Sequence, residues 1–159
     1  MKKLVWAVLL LLFVSLNATA IESVSTIIQG VVPELLNIST DMVPTTNIDV
    51  FTSDTSDLGS INIFSNRAGN WTITVTSTNG GMMKGVTAGN TNTYPYTLNF
   101  GAEENISLST PFVVRMSGKT ANQGLSYKLG ISFQNFWNMA TPVSPDTYRD
   151  TLTVTIAAS

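Results

Sequence analysis

The side chains that could perform chemistry in this chain are mostly carboxylates, because the sequence contains neither cysteine nor histidine. Their absence excludes thiolate and imidazole metal sites, cysteine nucleophiles and serine–histidine pairs. Asp54 and Asp57 lie in a loop-like stretch that could offer oxygen ligands to calcium, but solvated turn carboxylates are favoured because EF-hand spacing is missing. Glu103 and Glu104 are adjacent, so on a strand they point to opposite faces and cannot form a glycosidase pair. We therefore expect no catalytic residue, metal or cofactor.

Asp150 lies on the inward-facing parity of the last predicted strand. Burial of a carboxylate without a partner is costly. Asp150 is therefore expected either at the solvated end of that strand or beside an arginine, and the sequence leaves both arrangements open.

Aromatic and amide side chains are grouped in residues 133–139. An exposed platform made by Phe133, Phe136 and Trp137 and flanked by amides would suit a sugar ring. The favoured alternative is that Phe133 ends a core strand and that the other two rings cover the end of the fold, because large aromatic side chains dominate protein cores.

The first twenty residues have the features of a secretory signal peptide. Lys2 and Lys3 precede an apolar run at residues 4–16, and Ala18 and Ala20 supply the small residues of a cleavage site. The run is shorter than the roughly 20 residues that span a bilayer. We expect cleavage after Ala20 and export of residues 21–159 as a single domain to the periplasm or cell surface, with no integral membrane segment.

The mature chain is expected to be weakly acidic. Cleavage removes two of the eight basic residues and leaves six against ten acidic ones, a net charge of −4. Binding to nucleic acid requires clustered lysine and arginine, and no such cluster is present. Nucleic acid is therefore not an expected partner.

Short runs of alternating apolar and polar residues, separated by glycine, asparagine, aspartate and proline, predict an all-β fold. In residues 71–76, Trp71, Ile73 and Val75 alternate with threonines and predict a half-buried strand. Residues 78–81 supply the glycines for a tight turn, and Pro95 marks the start of a third alternating segment. Further candidate strands are 23–32, 35–39, 47–51, 60–64, 94–100, 106–108, 112–117 and 126–133.

The last predicted strand is residues 148–156, in which Leu152, Val154 and Ile156 alternate with threonines. Together the segments predict an immunoglobulin-like antiparallel β-sandwich of about seven to ten strands.

Three stretches resemble bacterial pilin-like sandwich proteins. Residues 65–77 followed by 79–81 resemble their middle hairpin, and residues 25–33 resemble their opening strand. Residues 145–156 look like the closing strand of the spore coat protein U-like domain and of chaperone–usher pilus subunits. The resemblance implies donor-strand assembly with other copies or related subunits, assisted by a periplasmic chaperone and an outer-membrane usher. Unlike many such subunits, this chain has no cysteine and no aromatic residue among its last three residues.

The N-terminal segment of the mature chain could pair with a neighbouring subunit. One parity of the segment carries Val24, Thr26, Ile28, Gly30 and Val32, as a donor strand requires, but apolar residues also occur on the other parity. A strand buried on both sides in its own sandwich is the favoured alternative, because strand donation is a rarer use of such a segment.

Two functions are favoured over a third, a hydrolase that uses carboxylates alone. The first is an exported structural subunit of a surface fibre or coat that acts through β-strand pairing. Its partner-strand residues would be the alternating N-terminal set at positions 24–32 and the row Leu152, Val154 and Ile156 of the closing strand. The second is a monomeric secreted module that recognises carbohydrate or another surface ligand through residues 133–139.

The signal peptide leads to a direct prediction. The exported protein should begin at Ile21, because Ala18 and Ala20 follow the apolar run at the spacing that signal peptidase cleaves. N-terminal sequencing of the exported protein measures this. Retention of residues 4–16 would contradict both the cleavage site and the expectation that no membrane segment remains.

Overall fold

The computed structural model describes residues 25–159. The expected signal peptide and Val24 lie outside the described residues. The chain divides into an N-terminal unit that ends at Val32 and a second unit, Pro33–Ser159. In the N-terminal unit, residues 25–32 are exposed and form no strand.

Ten antiparallel strands are present in the described part of the chain, together with one short 3-10 helix and no α-helix. The expected all-β sandwich is confirmed. The strands are β1 (Leu36–Thr40), β2 (Thr55–Ser65), β3 (Asn70–Ser77), β4 (Met82–Gly85), β5 (Thr93–Phe100), β6 (Glu103–Ile106), β7 (Phe112–Ser117), β8 (Leu125–Phe133), β9 (Tyr148–Arg149) and β10 (Leu152–Ala158); the 3-10 helix is Phe136–Asn138.

The strands form two sheets. The larger one has seven strands in the order β1-β2-β8-β5-β4-β9, with β6 paired to β5 beside β4. The smaller one has three strands in the order β10-β3-β7. Although β3 and β4 are joined by the turn at residues 78–81, they belong to different sheets, so this turn crosses the sandwich instead of closing a hairpin. Gly80 and Gly81 both have positive φ there, at 68° and 81°, which glycine adopts without steric cost.

The alternation of β3 is confirmed. Trp71, Ile73 and Val75 are at most 1% exposed, and the intervening threonines face away from the core. The indole Nε1 of Trp71 donates a hydrogen bond to the carbonyl oxygen of Gly118 at 3.0 Å, so the one polar atom of the ring is satisfied. Because β3 is the central strand of the smaller sheet, its inward row lies in the middle of the core.

The larger sheet supplies the facing half of the core. Most of its inward residues come from β2, β5 and β8, whose side chains alternate between the core and the outer surface, and β4 adds Met83. The buried apolar side chains of β2, β5 and β8 are Ile61, Ile63, Tyr94, Tyr96, Leu98, Phe100, Leu129, Ile131 and Phe133. The two inward faces together bury a core typical of a two-layer sandwich.

Some expected strands are absent or displaced. Residues 25–32 of the candidate strand 23–32 form no strand, and neither do residues 47–51. In the second segment Asp49 accepts hydrogen bonds from the backbone N–H groups of Phe51 and Thr52. This local turn competes with sheet pairing. The segment 106–108 is replaced by β6, which ends at Ile106, and β4 was not predicted because its four residues show no clear alternation.

The expected single strand at residues 148–156 is in fact two strands in different sheets. β9 pairs with β4 in the larger sheet, and β10 pairs with β3 in the smaller one. The chain changes sheet at Asp150 and Thr151. Alternation could not reveal this, because parity alone does not specify the strand's partner.

The carboxylate of Asp146 holds the segment that leads to the change of sheet at Asp150 and Thr151. Asp146 accepts hydrogen bonds from the Asn90 amide at 2.6 Å and from the backbone and hydroxyl of Thr87. These donors, the Asn90 amide foremost, lower the pKa of Asp146 to about 2. A side chain at Gly85 would collide with both Asn90 and Asp146. The loop after β4 is thereby held against the segment that leads into β9.

The central position of Trp71 predicts the cost of removing it. Trp71→Ala should lower the free energy of unfolding by about 3–5 kcal/mol, because it leaves a large cavity and loses the indole hydrogen bond. Chemical denaturation measures the change. Val113→Ala is the matched control, because Val113 is on the neighbouring strand β7 but is 43% exposed. A loss below about 1 kcal/mol for Trp71→Ala would mean that the inward face of β3 is wrongly assigned.

Candidate functional site

The free edge of β10 is the strongest candidate site in residues 33–159. β10 pairs along its whole length with β3, from Leu152 opposite Ser77 to Ala158 opposite Trp71, without a bulge. No described strand pairs with its other edge. The backbone N–H and C=O groups on that edge are therefore available to another strand.

The β10 edge lacks the features that usually prevent strand addition. Residues Leu152–Ala158 include no charged residue and no proline. The other edge of the same sheet, β7, carries Arg115. In the larger sheet, β6 carries Glu103 and Glu104 and has an irregular register, and β9 has only two residues. Charges, irregularities and short length protect edges from pairing, and β10 has none of these.

The inward row of β10 is incompletely covered. Leu152, Val154 and Ile156 pack against the core but are only half-buried, whereas the inward residues of β3 beside them are fully buried. The structure therefore brings these three expected partner-strand residues together on one face. An added strand would cover more of their apolar surface.

The first strand of the sandwich lies near this edge. β1 and β10 approach within 8 Å between Cα atoms, but they belong to different sheets and are not paired. β1 is also uncharged, although it has only five residues. Where the two sheets come close, the edge strands β1 and β10 therefore both lack protective charges.

The residues immediately before β1 are anchored. Asn66 accepts a hydrogen bond from the backbone N–H of Leu35 and donates one to the carbonyl oxygen of Pro33. Glu34 forms an ion pair with Arg67 at 3.0 Å. These contacts fix where the chain enters the sandwich at Pro33.

The N-terminal unit presents its apolar residues to solvent. Ile27, Ile28, Val31 and Val32 are between 83% and 93% exposed. Thr26 and Gly30 are exposed too, so both parities of the segment are uncovered. The favoured expectation that this segment is a buried strand of its own sandwich is wrong for residues 25–32.

Asp150 lies where the chain leaves one sheet for the other. Its carboxylate accepts hydrogen bonds from the hydroxyls of Ser77 at 2.5 Å and Tyr96 at 2.6 Å, and from the backbone N–H of Asn79 at 3.1 Å. Of the two arrangements that the sequence left open, the arginine partner is not found among the described residues; hydroxyl and backbone donors bind this half-buried carboxylate. Burial, and secondarily the Asp150 carboxylate, raises the pKa of Tyr96 well above its ordinary value. Sequence reasoning missed Tyr96 because its parity indicates only a core residue.

The remaining acidic candidates do not converge. The Asp57 carboxylate forms an ion pair with Lys128 at 2.7 Å, which lowers the pKa of Asp57. Asp54 is exposed, and its backbone carbonyl accepts a hydrogen bond from Phe133. Glu103 and Glu104 are both exposed on β6. Within residues 25–159 no group of three acidic side chains is placed to hold a metal ion.

The fold separates the three rings of the candidate aromatic platform. Phe133 is 7% exposed and ends the core strand β8, as the favoured alternative predicted, so it is not part of an exposed platform. Phe136 is half-buried in the 3-10 helix, and Trp137 beside it is 74% exposed. A ring that the sequence did not indicate, Phe51, packs against both, with centroids 5.0 Å and 5.8 Å away. Phe51 lies far away in the sequence, so no local pattern could identify it.

No protein-family model and no curated protein matches this chain. Over residues 25–159, no helix has both the length and the apolar character needed to span a membrane.

The Asp150 site predicts a dependence of stability on pH. The folded protein raises the pKa of Tyr96 and so favours its neutral phenol. The stability that the neutral phenol contributes is complete below pH 10, and it is lost as pH rises above the ordinary tyrosine pKa of about 10. Tyr96→Phe should lower the free energy of unfolding at pH 7 by about 1.5–3 kcal/mol, because Asp150 loses a donor. It should also reduce the loss of stability above pH 10. Denaturation at pH 7 and pH 11 measures both effects.

Tyr127→Phe is the matched control for this prediction, because within residues 25–159 the only hydrogen bond of the Tyr127 hydroxyl is the weak one to the sulfur of Met116 at 4.0 Å. It should cost less than about 1 kcal/mol. Equal effects of the two substitutions at both pH values would show that the bond between Tyr96 and Asp150 contributes nothing specific.

Proposed function

We propose that the protein is an exported assembly subunit that joins neighbouring copies by β-strand pairing, as in pilin-like fibres or coats. The N-terminal segment of one copy adds to the free edge of β10 in the next. The observation that carries this proposal is that β10 combines an unprotected edge with a half-covered apolar row. Such an edge is a template for another strand.

The backbone supplies the affinity in this arrangement. β10 has seven residues, an edge of about 23 Å at the usual rise per residue. The described N-terminal segment, residues 25–32, has eight residues, so it can cover the whole edge when extended. The uninterrupted register between β10 and β3 keeps the free N–H and C=O groups in a regular row, which a second strand requires.

The side chains supply the hydrophobic contribution. In an extended segment Ile28 and Val32 point to one face, with Thr26 and Gly30 on the same parity. Leu152, Val154 and Ile156 are the apolar surface that they would meet. Full burial of one such aliphatic side chain contributes about 1.5–3 kcal/mol. In the single chain Ile28 and Val32 are exposed, and the apolar row of β10 is only half-buried. This stabilisation is therefore still available to an intermolecular contact.

The partners follow from this geometry and from the resemblance to pilin-like proteins. The donor segment and the acceptor edge are both present in one chain, so another copy is a sufficient partner and a chain of copies can form by head-to-tail contacts. A free edge is prone to unspecific pairing before assembly. A periplasmic chaperone and an outer-membrane usher are the additional partners that the resemblance implies.

A charge on the β10 edge tests the proposal. In the mature protein, Thr155→Lys should abolish concentration-dependent polymer formation while leaving the circular dichroism spectrum and melting temperature nearly unchanged. Thr155 is exposed on β10, and a lysine on an edge opposes strand addition. Analytical ultracentrifugation measures the assembly state.

The matched control places the same charge on the other edge of the same sheet. Ser117→Lys, on the exposed side of β7, should assemble like the unmodified protein. A synthetic peptide of residues 22–32 should raise the melting temperature of a chain that lacks residues 21–32, because a ligand of the native state stabilises it. A monodisperse full-length monomer, together with unfolding of the shortened chain, would overturn the proposal.

A further inference from the structure

A three-ring aromatic cluster lies at the surface, where the loop before β2 meets the residues after β8. Phe51, Phe136 and Trp137 contact one another, with ring centroids 5.0–5.8 Å apart and inclined ring planes. Trp137 is 74% exposed and Phe51 is 50% exposed. An exposed tryptophan that already has aromatic neighbours presents apolar surface that the fold itself does not use.

Hydrogen bonds from both loops hold the cluster in place. The Asn135 amide donates to the carbonyl oxygen of Phe51 at 2.7 Å, and its side-chain oxygen accepts from the backbone N–H of Trp137 at 3.0 Å. The backbone N–H of Phe136 donates to the carbonyl oxygen of Val50 at 2.8 Å. The three rings are therefore positioned before any ligand arrives, which reduces the entropy lost on binding.

The charges around the cluster select the kind of ligand. Residues 47–54 and 134–144 include no lysine or arginine, so nothing there would neutralise a phosphate, sulfate or carboxylate. Residues 47–54 carry two carboxylates. Asp49 accepts hydrogen bonds from the Thr52 hydroxyl and the backbone N–H of Phe51, which lower its pKa, and Asp54 is exposed. The surroundings therefore favour a neutral ligand over an anionic one.

Exposed amides complete the site. Gln134 and Asn138 flank the indole on either side in sequence, and both are exposed. The Gln134 amide nitrogen donates to the carbonyl oxygen of Asn138, which holds the two close together. An amide offers both donors and acceptors, and a sugar hydroxyl can act as either. The site thus combines flat apolar rings with neutral hydrogen-bonding groups.

We propose that Phe51, Phe136 and Trp137 form a binding site for a neutral carbohydrate. The apolar C–H face of one pyranose ring stacks on the Trp137 indole, and a neighbouring sugar contacts Phe51. The amides of Gln134 and Asn138 hydrogen-bond the sugar hydroxyls. Three rings within about 6 Å of one another match one or two sugar units, whereas a stable protein interface needs about 800 Å² on each partner.

The protein provides its own probe for the test. Of its three tryptophans, Trp6 lies in the expected signal peptide, Trp71 is 1% exposed, and Trp137 is 74% exposed. In the mature protein, only the emission of Trp137 should therefore shift on ligand binding. Titration with cellohexaose, chitohexaose, mannohexaose, xylohexaose and maltohexaose should give a saturable blue shift with at least one of them. A sulfated oligosaccharide should give none.

Substitutions connect such binding to the cluster. Trp137→Ala should weaken the binding measured by calorimetry by about tenfold or more, and Phe51→Ala should weaken it less, because the larger and more exposed ring supplies more of the stacking. Val86→Ala is the matched control, because Val86 is 54% exposed outside both loops; it should leave affinity unchanged. The Thr155→Lys variant should bind as the unmodified protein does, so this test is independent of strand pairing.

Three results would overturn this inference. The first is the absence of a shift and of measurable heat with every oligosaccharide of the panel. The second is binding that Trp137→Ala leaves intact. The third is loss of self-assembly in Trp137→Ala without any effect on sugars, which would make the cluster a contact between copies of the chain.

Discussion

The carboxylate of Asp150 joins the two sheets at the point where the chain crosses between them. Tyr96 reaches it from β5 of the larger sheet and Ser77 from β3 of the smaller one, while Asn79 contributes a backbone donor from the connecting turn. Hydrogen bonds to a charged acceptor are stronger than neutral ones. Without them a half-buried carboxylate would oppose folding. The paths of β9 into one sheet and of β10 into the other depend on this crossing.

The crossing also determines which edge remains open. If residues 148–156 continued as one strand, the edge now formed by β10 would carry Arg149 and Asp150. Because the chain changes sheet at Asp150, the charged residues stay at the crossing and β10 consists of aliphatic residues, threonines and alanines. The same feature that ties the sheets together thereby produces an edge without protective charges. Strand pairing with another copy is the use that we propose for it.

The two proposed activities use different parts of the sandwich and different physics. Pairing at β10 relies on backbone hydrogen bonds and on a row of half-buried aliphatic side chains. The aromatic cluster lies on loops and relies on preformed rings and amides in a region without cationic side chains. Loops carried by a rigid scaffold commonly bind ligands, whereas sheet edges commonly bind strands. A subunit that assembles through one and binds a neutral sugar through the other would present many weak sites on a single surface, where multivalency raises avidity.

The amino-acid sequence by itself determined the class of fold and the central strand. Alternation in residues 71–76 predicted the burial of Trp71, Ile73 and Val75, because side chains of a strand alternate between its two faces. The absence of cysteine and histidine excluded thiolate and imidazole metal sites and the nucleophiles that depend on these residues, without any structure. Such features are local or compositional, and local patterns record which residues face the core.

Only the tertiary structure decided which strands pair and which side chains meet. The pairing of β9 and β10 in different sheets, the contact of Tyr96 with Asp150 across 54 residues, and the packing of Phe51 on Trp137 all join distant parts of the chain. The alternation pattern predicted that Phe133 and Asp150 face inward, but it did not predict which residues they contact. It also could not show that residues 25–32, which alternate like a strand, remain exposed. Pairing and exposure depend on which edges the completed sheets leave free, and that is a property of the whole fold.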